Sequence, residues 1–274
     1  MTVRPGTVNL FSMSAAASLN LDKGLLARFG VLQGTEALLP GREVLGLSWP
    51  ELERVLPDHG LPRGVIEIAA MPRLNQRAAP ASAWLRGGAT TIAIAALKSL
   101  HASDAQAWAA WITPAAPGGP RLRGGDQGGA PPLYAPALAQ AGVDLDRLLV
   151  VRPSASALAR TVVKVAASGA FGLVIVDAPH RQDLGGGVAV ASGARTVVPR
   201  GGDASAVVVR KLALAAEESG TTTLLLTSGL TQRATPWPVA LRLEVERRPE
   251  ALSVRVTKDR RGAGSSPQLV RLAG

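Results

Sequence analysis

The stretch that decides the fold is Val65-Ile66-Glu67-Ile68-Ala69, followed further on by Gly87-Gly88-Ala89-Thr90-Thr91 and then Ile92-Ala93-Ile94-Ala95-Ala96-Leu97. The first run has the length and composition of a strand, the last those of a helix. Strand, glycine turn and helix in that order form the frame of a phosphate-cradling loop, whose pattern is G-x-x-x-x-G-K-[ST]. In a working loop, backbone N–H groups surround the phosphates, the lysine reaches the terminal ones and the following hydroxyl holds Mg²⁺. Here Gly88 and Thr90 take the second-glycine and hydroxyl positions, Ala83 replaces the first glycine and Ala89 replaces the lysine. The frame is kept and the cation is gone. The alternative is that Gly87-Gly88 is a turn that merely admits a helix.

Working outward, strand-length apolar runs recur at 109–112, 148–151, 173–176 and 222–226, with helix-length segments at 90–103, 133–141, 156–167 and 204–218. This alternation predicts right-handed βαβ crossovers and an α/β fold with a mostly parallel sheet flanked by helices. Composition agrees: hydrophobic residues make up 47% but aromatics 3%, so the core is Val, Leu, Ile and Ala, the usual filling of strands covered on both faces. After Thr227, short strands at 240–246, 252–258 and 268–272, separated by turns at Pro249-Glu250 and Gly262-Ala263-Gly264, predict a C-terminal antiparallel extension.

Upstream, 14–30 places Leu19, Leu25, Leu26 and Phe29 before Gly30, which predicts a short amphipathic helix closed by a glycine cap. Residues 31–60 contain Pro40-Gly41, Trp49-Pro50 and Pro57-Asp58, with a short helix at 51–56, and read as a connecting arm. The expected organisation is an N-terminal helix and arm in 1–60 and the α/β core in 61–274. Long loops are expected at 71–86, 114–132 and 178–203, the last carrying Arg181, Arg195 and Arg200.

The chain has 30 Lys+Arg against 20 Asp+Glu, a net charge of +10. Residues 1–137 hold 12 basic and 9 acidic residues, whereas 138–274 hold 18 and 11. A basic field in the second half attracts nucleic acid or an acidic protein surface; a solvated basic surface is the alternative. No cysteine is present, which excludes disulfides, thiol catalysis and cysteine-ligated zinc. His59, His101 and His180 lack metal-ligand spacing, so no metal is expected. No apolar run reaches membrane-spanning length, and a cytoplasmic protein without membrane contact is expected.

Several motifs recur in the order of a known family. Gly60-Leu61-Pro62-Arg63-Gly64, Gly88-Ala89-Thr90-Thr91, Tyr134 with 142–149, Val174-Ile175-Val176-Asp177, Arg210-Lys211-Leu212-Ala213 and Lys258-Asp259-Arg260 run through most of the chain. Together they resemble the RecA recombinase core. The Leu-Pro-Arg-Gly entry and the Lys-Asp-Arg-Arg-Gly exit resemble most closely the ImuA family, the RecA-like members of bacterial mutagenesis cassettes.

The resemblance implies where a nucleotide site would lie: Gly87, Gly88, Ala89, Thr90, Thr91 and Asp177, the last in a Mg²⁺-water position. It also implies a catalytic glutamate after the second core strand, where this chain reads Thr113-Pro114, and a sensing glutamine where it reads Thr227-Ser228-Gly229. With lysine, glutamate and glutamine all replaced, neither ATPase activity nor a cofactor is expected. Further implied are DNA contacts through 179–203 and 228–238, with Arg181, Arg195, Arg200, Arg233 and Trp237 as candidates. A partner interface with RecA is implied for Leu25, Leu26 and Phe29, and for Lys258, Arg260 and Arg261, a basic group that in RecA filaments reaches the neighbour's ATP. The resemblance thus points to an accessory protein of the SOS response and translesion synthesis that binds RecA and an ImuB-like Y-family protein and limits filament growth. A single-stranded DNA-binding recombination factor is the alternative; exposed edge-strand charges are the plain reading of Lys258 and Arg260.

Overall fold

Alternating side chains along one strand, Gly64–Met71, are buried on both faces of a sheet, in the two apolar clusters that the described helices and strands build against it. The computed structural model describes residues 44–71, 87–115, 133–178, 184, 204–229, 237–260 and 264–272, all within one unit, Arg42–Gly274. In chain order the elements are β1 (Val44–Leu45), α1 (Pro50–Glu53), β2 (Leu61–Pro62), β3 (Gly64–Met71), α2 (Gly87–Ser103) and β4 (Ala109–Ile112). Then come α3 (Ala135–Gln140), β5 (Leu148–Val151), α4 (Ala155–Ala167), β6 (Leu173–Asp177), α5 (Ala204–Ser219) and β7 (Thr222–Ser228). The chain closes with β8 (Leu241–Arg247), β9 (Ala251–Asp259) and β10 (Gln268–Arg271).

The main sheet has the order β10-β9-β8-β3-β7-β6-β4-β5. From β8 through β5 every pairing is parallel; β9 and β10 are antiparallel to their neighbours. The α/β, mostly parallel expectation therefore holds, with one correction. The antiparallel extension begins at β9, because β8 joins β3 in parallel, Ile66 opposite Leu241. The chain between β7 and β8, about a dozen residues, is long enough for the crossover that parallel pairing requires.

Adjacent residues of a strand point to opposite faces. Ile66, Ile68 and Ala70 join Ile92, Ala96 and Leu97 of α2 on one face, while Val65 joins Leu158 and Val162 of α4 and Val209 and Leu212 of α5 on the other. Coverage on both sides explains why the inner strands are apolar without alternation. Each such buried Leu or Ile stabilises the fold by about 1.5–3 kcal/mol. The segment expected as a connecting arm adds Leu47, Trp49, Leu52 and Leu56 to the α2-side core. Trp49 Nε1 donates to Arg271 O at 3.0 Å, and Arg271 N donates to Glu51 Oε2 at 2.8 Å, which ties α1 to β10.

The Asp144-Leu145-Asp146-Arg147 stretch has a structural task. Arg147 Nε donates to Asp144 Oδ2 at 2.8 Å, and its Nη1 and Nη2 donate to Asp104 O and His101 O at 2.8 and 3.2 Å. A cation thereby satisfies carbonyls at the C-terminal end of α2, where the helix dipole favours positive charge. His101, 7% exposed, finds no hydrogen-bond partner for either ring nitrogen among the described residues. Burial, then the Arg147 charge, holds its pKa below the ordinary 6.5. Because the unfolded chain then binds the proton more readily, this contribution to stability is present above pH 6.5 and is lost as pH falls from there toward the folded pKa. Urea denaturation at pH 7.5 and 5.5 should show the loss, and His101→Phe should flatten it; an equal slope in the variant would assign it elsewhere.

Candidate functional site

The C-terminal edge of the parallel strands collects the residues expected around a nucleotide. β3 ends there at Met71, β6 at Asp177, and α2 begins there at Gly87. Asp177 is 8% exposed and lies opposite Leu226 of β7, whose carbonyl accepts Ala178 N at 3.1 Å. Thr90 and Thr91 are half-buried. Ala89 is 1% exposed and belongs to the apolar cluster between α2 and the sheet. Position 89 thus faces the core. Gly88 has a packing reason of its own: a Cβ there would stand 2.7 Å from Val245 Cγ1 and 3.5 Å from Leu252 Cδ2. The first turn of α2 rests directly on β8 and β9, closer than a side chain at 88 permits.

The two segments flanking this edge are occupied by the chain's own hydrogen bonds. Thr113, 2% exposed, donates its N–H to Val151 O at 3.1 Å. Gly229 N donates to Ala70 O at 2.8 Å, and Gly229 lies so close to Met71 that a Cβ would collide with its sulfur. Thr227 Oγ1 donates to Glu67 Oε1 at 2.7 Å.

Glu67 is the residue that sequence reading passed over. It is fully buried in β3, and a buried carboxylate must be bonded and paired. Thr227 on β7 supplies the hydrogen bond; Arg242 on β8, opposite Glu67 in register, supplies charge with Nε 3.6 Å from Oε2, an ion pair too long for a hydrogen bond. Arg242 also lies 3.7 Å from Glu244 and opposite Lys258 of β9. Two cations directly opposed repel, and Glu67 and Glu244 offset that repulsion. The signal was present in the sequence: a lone carboxylate inside an apolar run read as doubly covered.

Lys258 and Arg260 lie across the sheet from Asp177, on β9 and in the turn after it. Lys258 is opposite Arg242 and so level with Glu67 of β3, and Asp177 is level with Ile68, so the two are separated across the sheet, β9 to β6, by about 19 Å of strand spacing. They do not stand together on one strand, because β9 ends at Asp259 and Arg260 is in the following turn. Lys258 Nζ donates to Trp237 O at 2.6 Å; burial, then Arg242, lowers its pKa. Arg260 is exposed, with Nη2 beside Gly64.

Trp237 is corrected as a base-stacking candidate. It is 2% exposed and packed in the second core cluster with Val239, as an indole between two prolines in a tight return to the sheet can be. Arg181, Arg195, Arg200, Arg233, Arg261, Leu25, Leu26 and Phe29 lie outside the described residues, as does most of each expected loop. Among the described residues no cluster of three or more His, Asp or Glu is placed to hold a metal, and no helix is long and apolar enough to cross a membrane. No family model and no curated protein matches the chain.

Proposed function

We propose that this chain is a RecA-like accessory protein of the ImuA kind, acting by contact rather than by ATP hydrolysis in SOS DNA damage tolerance and translesion synthesis. Its partners in this reading are RecA and an ImuB-like Y-family protein, in the cytoplasm. The observation that carries the reading is the packing at Ala89: the turn that would grip a triphosphate is seated on β8 and β9, with a methyl group in the core. An absent lysine removes a charge-assisted contact of about 1.5–3 kcal/mol and the stabilisation of developing phosphoryl charge. The placement of the glycine turn and of Arg260 supports the reading too, since Gly88 packs on Val245 near the C-terminal end of β3 while Arg260 lies beside Gly64 at its start. Head-to-tail assembly needs unlike faces on opposite sides of a subunit. A chain with a cationic edge and an inert nucleotide edge joins a RecA filament end, uses the neighbour's ATP and stops further addition.

The test is capture by RecA with and without single-stranded DNA, together with RecA strand exchange in the presence of the chain. Inhibition that disappears in the Lys258→Ala, Arg260→Ala double variant supports the filament-end role; inhibition unchanged in that variant removes the basic edge from it. The second reading, direct single-stranded DNA binding, draws on the basic second half. It requires affinity that falls steeply from 50 to 200 mM salt.

A further inference from the structure

We infer that the outward face of α4 and α5 is a docking surface for an acidic amphipathic helix of a partner protein. The inference stands apart from the filament-end role, because it uses neither the glycine turn nor Lys258 and Arg260.

The two helices pack against each other and share one core. Leu158, Val162 and Ala166 of α4 and Val209, Leu212 and Ala216 of α5 enter the same cluster on one face of the sheet. With about 3.6 residues per turn, the positions opposite these are Arg160 and Lys164 on α4, and Val207, Arg210, Lys211 and Leu214 on α5. All six are exposed. Val207 and Leu214, 54% and 53% exposed, are large apolar side chains on one outward stripe, about 10 Å apart along the helix. A helix that covers a sheet ordinarily turns polar residues outward, and neither side chain belongs to the core cluster. Arg210 and Lys211 stand between them, and α4 sets Arg160 and Lys164 on the neighbouring outward stripe. None of these cations has an ion pair among the described residues. α4 carries no acidic residue, and α5 carries none before Glu217.

Two apolar anchors separated by two helical turns match the i, i+3/i+4, i+7 stripe of a second helix. Cations between and beside them select a stripe flanked by Asp and Glu. A second copy of this chain fails on charge, since an isologous contact would set the basic patch against itself. A single strand of nucleic acid fails on the apolar half. Its bases stack on aromatic side chains, and neither helix has one.

The test is fluorescence anisotropy of the full chain with three labelled probes, alongside thermal unfolding of every variant. The probes are a helix-forming peptide with leucines at i, i+4 and i+7 flanked by glutamates, a scrambled peptide of identical composition, and an oligodeoxythymidine. The amphipathic peptide is expected to bind at least about tenfold more tightly than the scrambled one. Val207→Ser with Leu214→Ser should weaken it roughly tenfold. Arg210→Gln with Lys211→Gln should weaken it about fivefold and reduce its salt dependence. Equal binding of the two peptides, or no binding of either, would overturn the proposal, as would wild-type affinity in the serine variant. Displacement of the peptide by the oligonucleotide at lower concentration than by unlabelled peptide would assign the face to nucleic acid instead. Self-association abolished by the serine changes would assign it to a second copy. The scrambled peptide and the glutamine variant decide the matter if the serine variant does not fold.

Discussion

Glu67→Ala is expected to destabilise the fold by about 3–5 kcal/mol, the range for removing one partner from a buried ion pair. The carboxylate is fully buried between β7 and β8, and its loss strips Thr227 Oγ1 of its acceptor and Arg242 of its nearest compensating charge. Arg242 would then face Lys258 across β8 and β9 with Glu244, at 3.7 Å, as the remaining carboxylate paired with it among the described residues. Against a total stability of about 5–15 kcal/mol, such a loss leaves a marginal protein. Glu67→Gln separates the two contributions, since an amide oxygen still accepts from Thr227 while the charge is gone; its cost should be smaller. Urea denaturation of the three proteins measures both steps. A change below about 1 kcal/mol for the alanine variant would mean that the buried carboxylate does not organise the central strands.

Restoring the missing lysine is expected to fail. Ala89→Lys places a four-carbon stem and an ammonium at a position 1% exposed and enclosed by apolar side chains, next to a glycine already in contact with Val245. Burying an unpaired charge is costly enough that the stem must turn outward or the helix end must shift. The variant should lose at least about 3 kcal/mol and gain no Mg²⁺–ATP binding. Ala89→Leu, which adds bulk without charge, should lose less, so the difference between the two variants reports the ammonium. A stable Ala89→Lys protein that binds Mg²⁺–ATP would show that the turn is a nucleotide cradle lacking only its cation.

The strands and helices were legible because period and length are local properties: 109–112 and 148–151 emerge as β4 and β5 with the expected bounds. Helix ends were legible within a few residues, as at α2, expected from 90 and found from Gly87. What was not legible depends on which strands become neighbours. The direction of β8 is set by its crossover to β3, and no local pattern encodes it. The pairing of Glu67 with Thr227 and Arg242 joins residues far apart in sequence, although the isolated carboxylate was a visible warning. Trp237 stood as a stacking candidate as an aromatic near Arg233 in a segment the resemblance assigns to DNA, whereas the flanking prolines pointed to a packed turn, which its burial fits. Lys258 and Arg260 alternate in sequence, yet the strand stops between them.

The most direct measurement is a titration of the purified chain with a fluorescent ATP analogue and Mg²⁺, followed by phosphate release with and without single-stranded DNA. The account predicts no saturable binding in the micromolar range and no release above background. Micromolar binding accompanied by turnover would contradict it.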